Sequence, residues 1–200
     1  MKTILIGDNS KDLYGCHNDV ILLYNFFYEL NIPLFFFNNI NFEKINKYIK
    51  NKTIIIFYFS GHSLKNGKIL INNKYYSSIY ILNYLNNLKK NINVIFIIDS
   101  CYSEQFICYK NFKYIINVKY LLSCNKYQTS KEITVDYNVN NYKYFKIINP
   151  SKQLVHSIFS FYLCKLLYKY KLNIKKIIKH PYWEIINEKY QQEFIYYEKK

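Results

Sequence analysis

Two stretches of the chain end on side chains that can do chemistry. Phe57-Tyr58-Phe59-Ser60-Gly61-His62 closes on an imidazole, and Ile97-Ile98-Asp99-Ser100-Cys101 closes on a thiol. Each is a β-branched and aromatic run that stops at a polar break, which is how a buried strand reads. In open α/β sheets, ligands and reactive groups sit just past the carboxyl ends of the strands. Two such strands side by side would bring the histidine and the cysteine together. Nucleophilic chemistry then needs only a thiol to attack and an imidazole to move its proton. Zinc fits these residue types less well. There is no Cys-x-x-Cys pair, and the adjacent Cys16 and His17 are poorly spaced for two ligands.

The rest of the chain supplies elements to hold such strands. Strands are expected from Thr3 to Gly7, Pro33 to Phe37, Thr53 to Ser60, Val94 to Asp99 and Tyr120 to Ser123. Asn18 or Asp19 can cap a helix running to about Leu30, with Val20, Leu23, Tyr24 and Phe27 on its apolar stripe. Further helices are expected from Phe42 to Lys50, Ser78 to Leu88 and Leu154 to Tyr170, and from Ile174 to Tyr190 with a break at Pro181. Lys65-Asn66-Gly67-Lys68 is a tight turn leading to a short arm at Ile69 to Ile71. Lys131 to Pro150 is polar, tyrosine-rich and aperiodic, and reads as a long surface loop or irregular hairpin. Strands alternating with helices predict an α/β fold with a largely parallel sheet covered on both faces. The length of 200 residues suits a single domain.

Composition narrows the function classes. The net charge is +15, and all 28 basic residues are lysine; arginine is absent. A basic balance often points to nucleic acid. Here the lysines are scattered, and richness in Lys, Asn, Ile, Tyr and Phe matches AT-rich codons, so nucleic acid is not the expected partner. The five cysteines are an odd count with no secretory signal ahead of them. They predict free thiols in a reducing, cytoplasmic setting. The longest apolar region, Val20 to Phe37, is interrupted by Asn25, Glu29, Asn31 and Pro33, so no membrane span is expected.

Four segments, in order, give the chain a family likeness. Leu13-Tyr14-Gly15-Cys16-His17-Asn18-Asp19, Tyr58-Phe59-Ser60-Gly61-His62, Asp99-Ser100-Cys101, and Cys124 followed by Gln128-Thr129-Ser130 resemble the signature segments of the metacaspases, which are caspase-like cysteine peptidases. Ser157 to Leu167 resembles a fifth, helical segment. The resemblance implies a caspase-like fold with a central, mostly parallel sheet of about six strands and helices on both faces. It divides the single domain into a large-subunit-like part at about 1–110 and a small-subunit-like part at about 119–200. It makes Cys101 the nucleophile and His62 the general base and acid. The backbone N–H groups of Cys101 and Ser63 would form the oxyanion hole, although the family usually has glycine where Ser63 stands. Cys16, Asp19, Ser60 and Asp99 would line the primary specificity pocket. Two carboxylates there suit a lysine or arginine side chain, through charge-assisted hydrogen bonds.

The expected partners are therefore proteins or peptides with Lys or Arg before the scissile bond, cut by a monomer without a cofactor. Many metacaspases need calcium. Lys126, Tyr127 and Cys108 stand where the resemblance leads one to expect acids, and Leu64 to Asn93 holds no Asp or Glu. Calcium takes several oxygen ligands, so no metal site is expected. The Lys126 ammonium is expected to replace the ion by pairing with Glu104 or Glu132. Two other readings stay open at this point: an inactive caspase-like regulator that binds proteins, and a basic binding module on the same scaffold.

Overall fold

The computed structural model describes residues 1–7, 14–36, 49, 53–136 and 153–199. The expected helix from Phe42 to Lys50 and residues 137–150 of the expected loop lie outside the described residues. Six strands form the main sheet: β1 (Lys2–Gly7), β2 (Leu34–Phe36), β3 (Thr53–Ser60), β6 (Ile92–Asp99), β7 (Ile115–Leu122) and β10 (Ile195–Lys199). Their order across the sheet is β10-β7-β6-β3-β1-β2. The other five strands of this sheet run parallel, and within it only β10 is antiparallel, against β7.

The two central strands are apolar along most of their length because both faces of the sheet are covered. On β3, Ile56 and Tyr58 join one core with Phe26 and Phe27 of helix α1 (Tyr14–Glu29) and with Phe159 and Leu163 of helix α3 (Ile158–Tyr170). Ile55, Phe57 and Phe59 face the opposite core, with Ile81 and Leu82 of helix α2 (Ser78–Asn87) and Phe96 and Ile98 of β6. The period-two alternation of strand side chains thus feeds two apolar layers instead of one. It also fixes the register. Tyr58 pairs with Ile97 and Ser60 with Asp99, so the two strands end level. The polar residues that follow them emerge side by side.

The chain departs from the sequence expectations at four places. Helix α1 begins at Tyr14, which puts Asp19 inside the helix and not at its N-cap. Tyr24 is 39% exposed and stacks on Tyr28, while Leu22 and Phe26 take buried positions. The expected helix from Leu154 is strand β9 (Gln153–Ser157) followed by α3. β9 pairs with β8 (Glu132–Asp136), so of the two expectations for this stretch, a long loop or an irregular hairpin, its described start is one arm of an antiparallel hairpin. Finally, β10 has no counterpart in the sequence reading. As expected, Pro181 separates helix α4 (Ile174–Ile178) from helix α5 (Tyr182–Tyr190).

The small arm after His62 is a hairpin of β4 (Ile69–Ile71) and β5 (Lys74–Tyr76). Gly67, at its base, has φ +74°, and a Cβ there would lie 2.3 Å from the Gln105 carbonyl carbon. Glycine lets this loop reach the backbone of the 3-10 turn Ser103–Phe106 that follows Cys101.

Candidate active site

The carboxyl ends of β3 and β6 open into one pocket. It is lined by Cys16, Ser60, Gly61, His62, Asp99, Ser100, Cys101, Ser130, Glu132 and Ser157. The predicted nucleophile and base, Cys101 and His62, thus lie on the same wall, delivered there by neighbouring parallel strands. Three of the four predicted pocket residues, Cys16, Ser60 and Asp99, also line it. The fourth, Asp19, does not: it is fully buried behind the wall.

The Cys101 segment is held from several sides. The Gly61 N–H donates to the Asp99 carbonyl (3.0 Å), which joins the two strand ends. The Ser63 hydroxyl donates to the Cys101 carbonyl, and the Tyr102 N–H donates to the Gln128 carbonyl (2.8 Å). The Ser100 N–H donates to Ser123 Oγ (3.2 Å), which in turn donates to the Ser100 carbonyl (3.0 Å). Ser63, which departs from the usual glycine, therefore uses its side chain to tie the histidine loop to the cysteine loop. Burial raises the Cys101 thiol above its ordinary pKa; the Ser130 backbone acts against this, and the Asp99 charge adds to it. The thiol is protonated at neutral pH and needs a base to become a nucleophile.

Two buried carboxylates organise the back of the pocket. Asp99, 2% exposed, accepts from Ser130 Oγ (2.7 Å), from the Ser160 N–H (3.2 Å) and from the Ser160 hydroxyl. Ser160 is also bonded to the Tyr58 hydroxyl (2.7 Å). Asp19 accepts from Ser60 Oγ (3.2 Å) and from the Ser157 N–H (3.2 and 3.3 Å), and its Oδ1 lies 2.9 Å from His156 Nδ1. Burial, and then the Asp99 charge, push Asp19 well above the usual carboxylate range. Burial raises Asp99 as well, against the hydrogen bonds from Ser157, Ser160 and Ser130 that favour its charged form. The Ser157 hydroxyl is buried and close enough to favour charge on Asp99, yet it makes no hydrogen bond of ordinary geometry. Among the described residues, the groups bonded to both carboxylates are hydroxyls, amides and one imidazole, not ammonium groups.

A third carboxylate lies in the wall, at a position the sequence did not mark as pocket-lining. Glu132 opens β8, and its Oε1 accepts the Gly15 N–H (3.1 Å) at the first turn of α1. Gly15 lacks a side chain where Glu132 sits: a Cβ would lie 2.3 Å from that oxygen. His156 was likewise missed. Both come from the β8–β9 hairpin, whose seat is fixed by the Ile158 N–H donating to the Lys131 carbonyl (2.9 Å). The buried Gln192 amide accepts from the Lys131 N–H (2.8 Å) and donates to the Ser123 carbonyl (2.9 Å).

The expected ammonium substitute for calcium is not what Lys126 provides. Its backbone N–H, not its ammonium, meets Glu104 Oε2 (2.9 Å), while the ammonium lies 5.2 Å from the centroid of the Tyr127 ring. Among the described residues, no three His, Cys, Asp or Glu side chains converge as a metal-ligand set, and no helix is long and apolar enough to cross a membrane. All five cysteines are free thiols.

A parallel sheet that carries a thiol and an imidazole on adjoining strand ends, with acids set behind them, is the architecture of a caspase-type cysteine peptidase. Residues 2–192 match the family model of the caspase domain, and the chain belongs to that family. In fold it is similar to caspase-1 from Spodoptera frugiperda, with a TM-score of 0.56 at 13% identity over 100% of this chain and 85% of that one. No curated protein matches the chain.

Proposed function

We propose that this chain is a cysteine endopeptidase of metacaspase type that cuts after lysine or arginine. The observation that carries this reading is the shared pocket: Cys101 and His62 line it together with Asp99 and Glu132, and Asp19 stands behind. His62 takes the thiol proton as Cys101 Sγ attacks the scissile carbonyl. The tetrahedral intermediate then collapses to a thioester, and His62 returns the proton to the leaving amine. Water, deprotonated by His62, attacks the thioester and frees the carboxylate product and the thiol.

Backbone N–H groups of Cys101 and Ser63 would hold the oxyanion. The bonds that join the Ser63 segment to the β4 arm belong to the His62 carbonyl (from the Leu70 N–H, 2.9 Å) and to the Leu64 N–H (to the Lys68 carbonyl, 2.9 Å). In that antiparallel pattern the N–H of Ser63 itself points away from the arm.

The acids of the pocket support this choice of substrate. A protein substrate's lysine or arginine brings a cation to Asp99 and Glu132, with Asp19 holding Ser60 from behind. Uncharged side chains would leave Asp99 buried without a counter-charge, which is costly. The chain acts as a monomer and without calcium. The test is turnover of fluorogenic peptides ending in Lys, Arg, Asp or norleucine. Fast cleavage after Lys and Arg with slow, measurable cleavage after norleucine is expected, and preferential cleavage after Asp would refute the reading.

A further inference from the structure

His156 takes no part in the chemistry proposed above, yet it sits at the junction of the pocket's buried framework. It is 1% exposed, at the inner end of β9, with its ring stacked 5.9 Å from Phe161. Its Nδ1 lies 2.9 Å from Asp19 Oδ1, and the next residue, Ser157, gives its N–H to the same carboxylate. One residue before Asp19, the Asn18 side-chain amide donates to the Val155 carbonyl (2.8 Å). Consecutive residues of α1 are therefore stitched to consecutive residues of β9. Asp19 also accepts from Ser60, which immediately precedes Gly61 and His62. Asp19 lies outside the pocket, yet it holds two pocket-lining residues, Ser60 and Ser157.

Building on the peptidase reading, we propose that His156 is a positioning residue for the specificity pocket. Its bond to Asp19 fixes the rotamer of that carboxylate. Asp19 in turn fixes Ser60 and Ser157, two hydroxyl-bearing residues that line the same pocket as Asp99. An imidazole suits the task because Nδ1 can donate to a carboxylate or accept from a carboxyl O–H, according to tautomer. The pair therefore stays bonded whether or not Asp19 carries a proton. Burial lowers His156 to about 4 and raises Asp19, so the imidazole is neutral at physiological pH and adds no cation to repel the substrate.

The test compares His156→Phe, which keeps a ring and loses the bond, with His156→Asn, which returns an amide near the position of Nδ1. Two readouts are taken for each. The first is KM and kcat for matched peptides ending in lysine or norleucine. The second is protection of Cys101 from iodoacetamide by N-acetyl-lysine methylamide, which requires no turnover. His156→Phe should raise KM for the lysine peptide at least tenfold with kcat within about threefold, and should weaken lysine protection equally. The norleucine peptide should barely respond, and His156→Asn should stay within about threefold of the parent. Equal losses on lysine and norleucine peptides would overturn the proposal, because they would mark simple packing. Unchanged lysine protection in His156→Phe would overturn it too. If His156→Phe does not fold, a folded His156→Asn that loses lysine selectivity refutes the proposal alone, and one that keeps it supports it. Absence of turnover by the parent protein would refute the peptidase reading, while the protection assay still decides the role of His156.

Discussion

One wall of the pocket is made by two adjoining strand ends, and the facing wall by a helix turn and a hairpin from distant parts of the chain. The first wall carries Ser60 and Asp99, the paired last residues of β3 and β6, with Gly61, His62, Ser100 and Cys101 just past them. The second carries Cys16 from α1 and Glu132 and Ser157 from the β8–β9 hairpin, joined by side-chain hydrogen bonds. The reactive groups sit where backbone pairing leaves little freedom. The wall facing them, which adds Glu132 to the Asp99 carboxylate in the proposed sorting of substrates, is held by polar side-chain bonds whose loss costs less. Bond-making chemistry and choice of substrate can thus be damaged separately.

The largest expected effect lies on the strand-end wall. Cys101→Ala and His62→Ala should each lower turnover of a lysine peptide by about 10³-fold or more, since the members of a unit that acts together fail together. Both should unfold at the parent temperature. The raised thiol pKa gives a companion signature: alkylation of Cys101 should climb with pH beyond the ordinary thiol range, with no low-pH plateau of a preformed thiolate. Near-normal turnover by Cys101→Ala would break the assignment.

Asp99→Asn comes next, and it should move activity and stability in opposite directions. Loss of the buried charge should cut kcat/KM for lysine peptides by about 10²-fold, or about 2.7 kcal/mol, while norleucine peptides change little. The folded-state pKa of Asp99 lies above its unfolded value. The stability this group contributes is therefore full below the unfolded pKa, about 3.9, and is lost as pH rises through the folded pKa. The asparagine variant escapes that loss. It should melt ~2–4 °C higher than the parent at pH 7.5, the scale of about 1 kcal/mol for a chain of this size, with no gain at pH 4. A lower melting temperature at pH 7.5 would mean that the bonds from Ser130 and Ser160 outweigh the cost of the buried charge.

Gly15→Ala probes the hairpin wall more gently. Its new Cβ would displace the Glu132 carboxylate, a flexible side-chain end. KM for lysine peptides should rise about threefold, under 1 kcal/mol, with kcat unchanged. Equal behaviour of Gly15→Ala and the parent would remove Glu132 from the list of groups that touch substrate.

The smallest effect is an expected null. Turnover of metal-free protein in excess chelator and in millimolar calcium should agree within about twofold. A tenfold rise on adding calcium would reveal oxygen ligands in the loops around Cys101.

The unequal legibility of the two walls has the same physical origin. β3 and β6 are buried on both faces, so each reads as an unbroken apolar run with its functional residue directly attached. β9 does not read that way. Leu154, Ile158 and Phe161 follow helical spacing across the strand–helix junction, and the period alone merges the two elements. His156 then looks like one polar residue on a helix, with nothing in the sequence to reveal the Asp19 it meets 137 residues away. Glu132 was visible only as a loop acid, because its value depends on the side-chain-free patch at Gly15. β10 is half-buried and follows its partner β7 by more than 70 residues, and pairing with β7, not local pattern, makes it a strand. Asp19 lies one layer behind the pocket wall: motif spacing brought it beside the pocket but did not tell the wall from its backing.

The Gln192 amide, which joins the Lys131 N–H to the Ser123 carbonyl, sets a timetable. Cys101 leaves the ribosome 91 residues before the side chain that secures the hairpin. At about 5–20 residues per second, that interval is roughly 5–20 s. During those seconds the nascent chain carries its thiol on a strand end with no finished enclosure around it. The completed pocket therefore dates from the arrival of the segment around Gln192, and the order of synthesis withholds it until five of the six strands of the main sheet have been made.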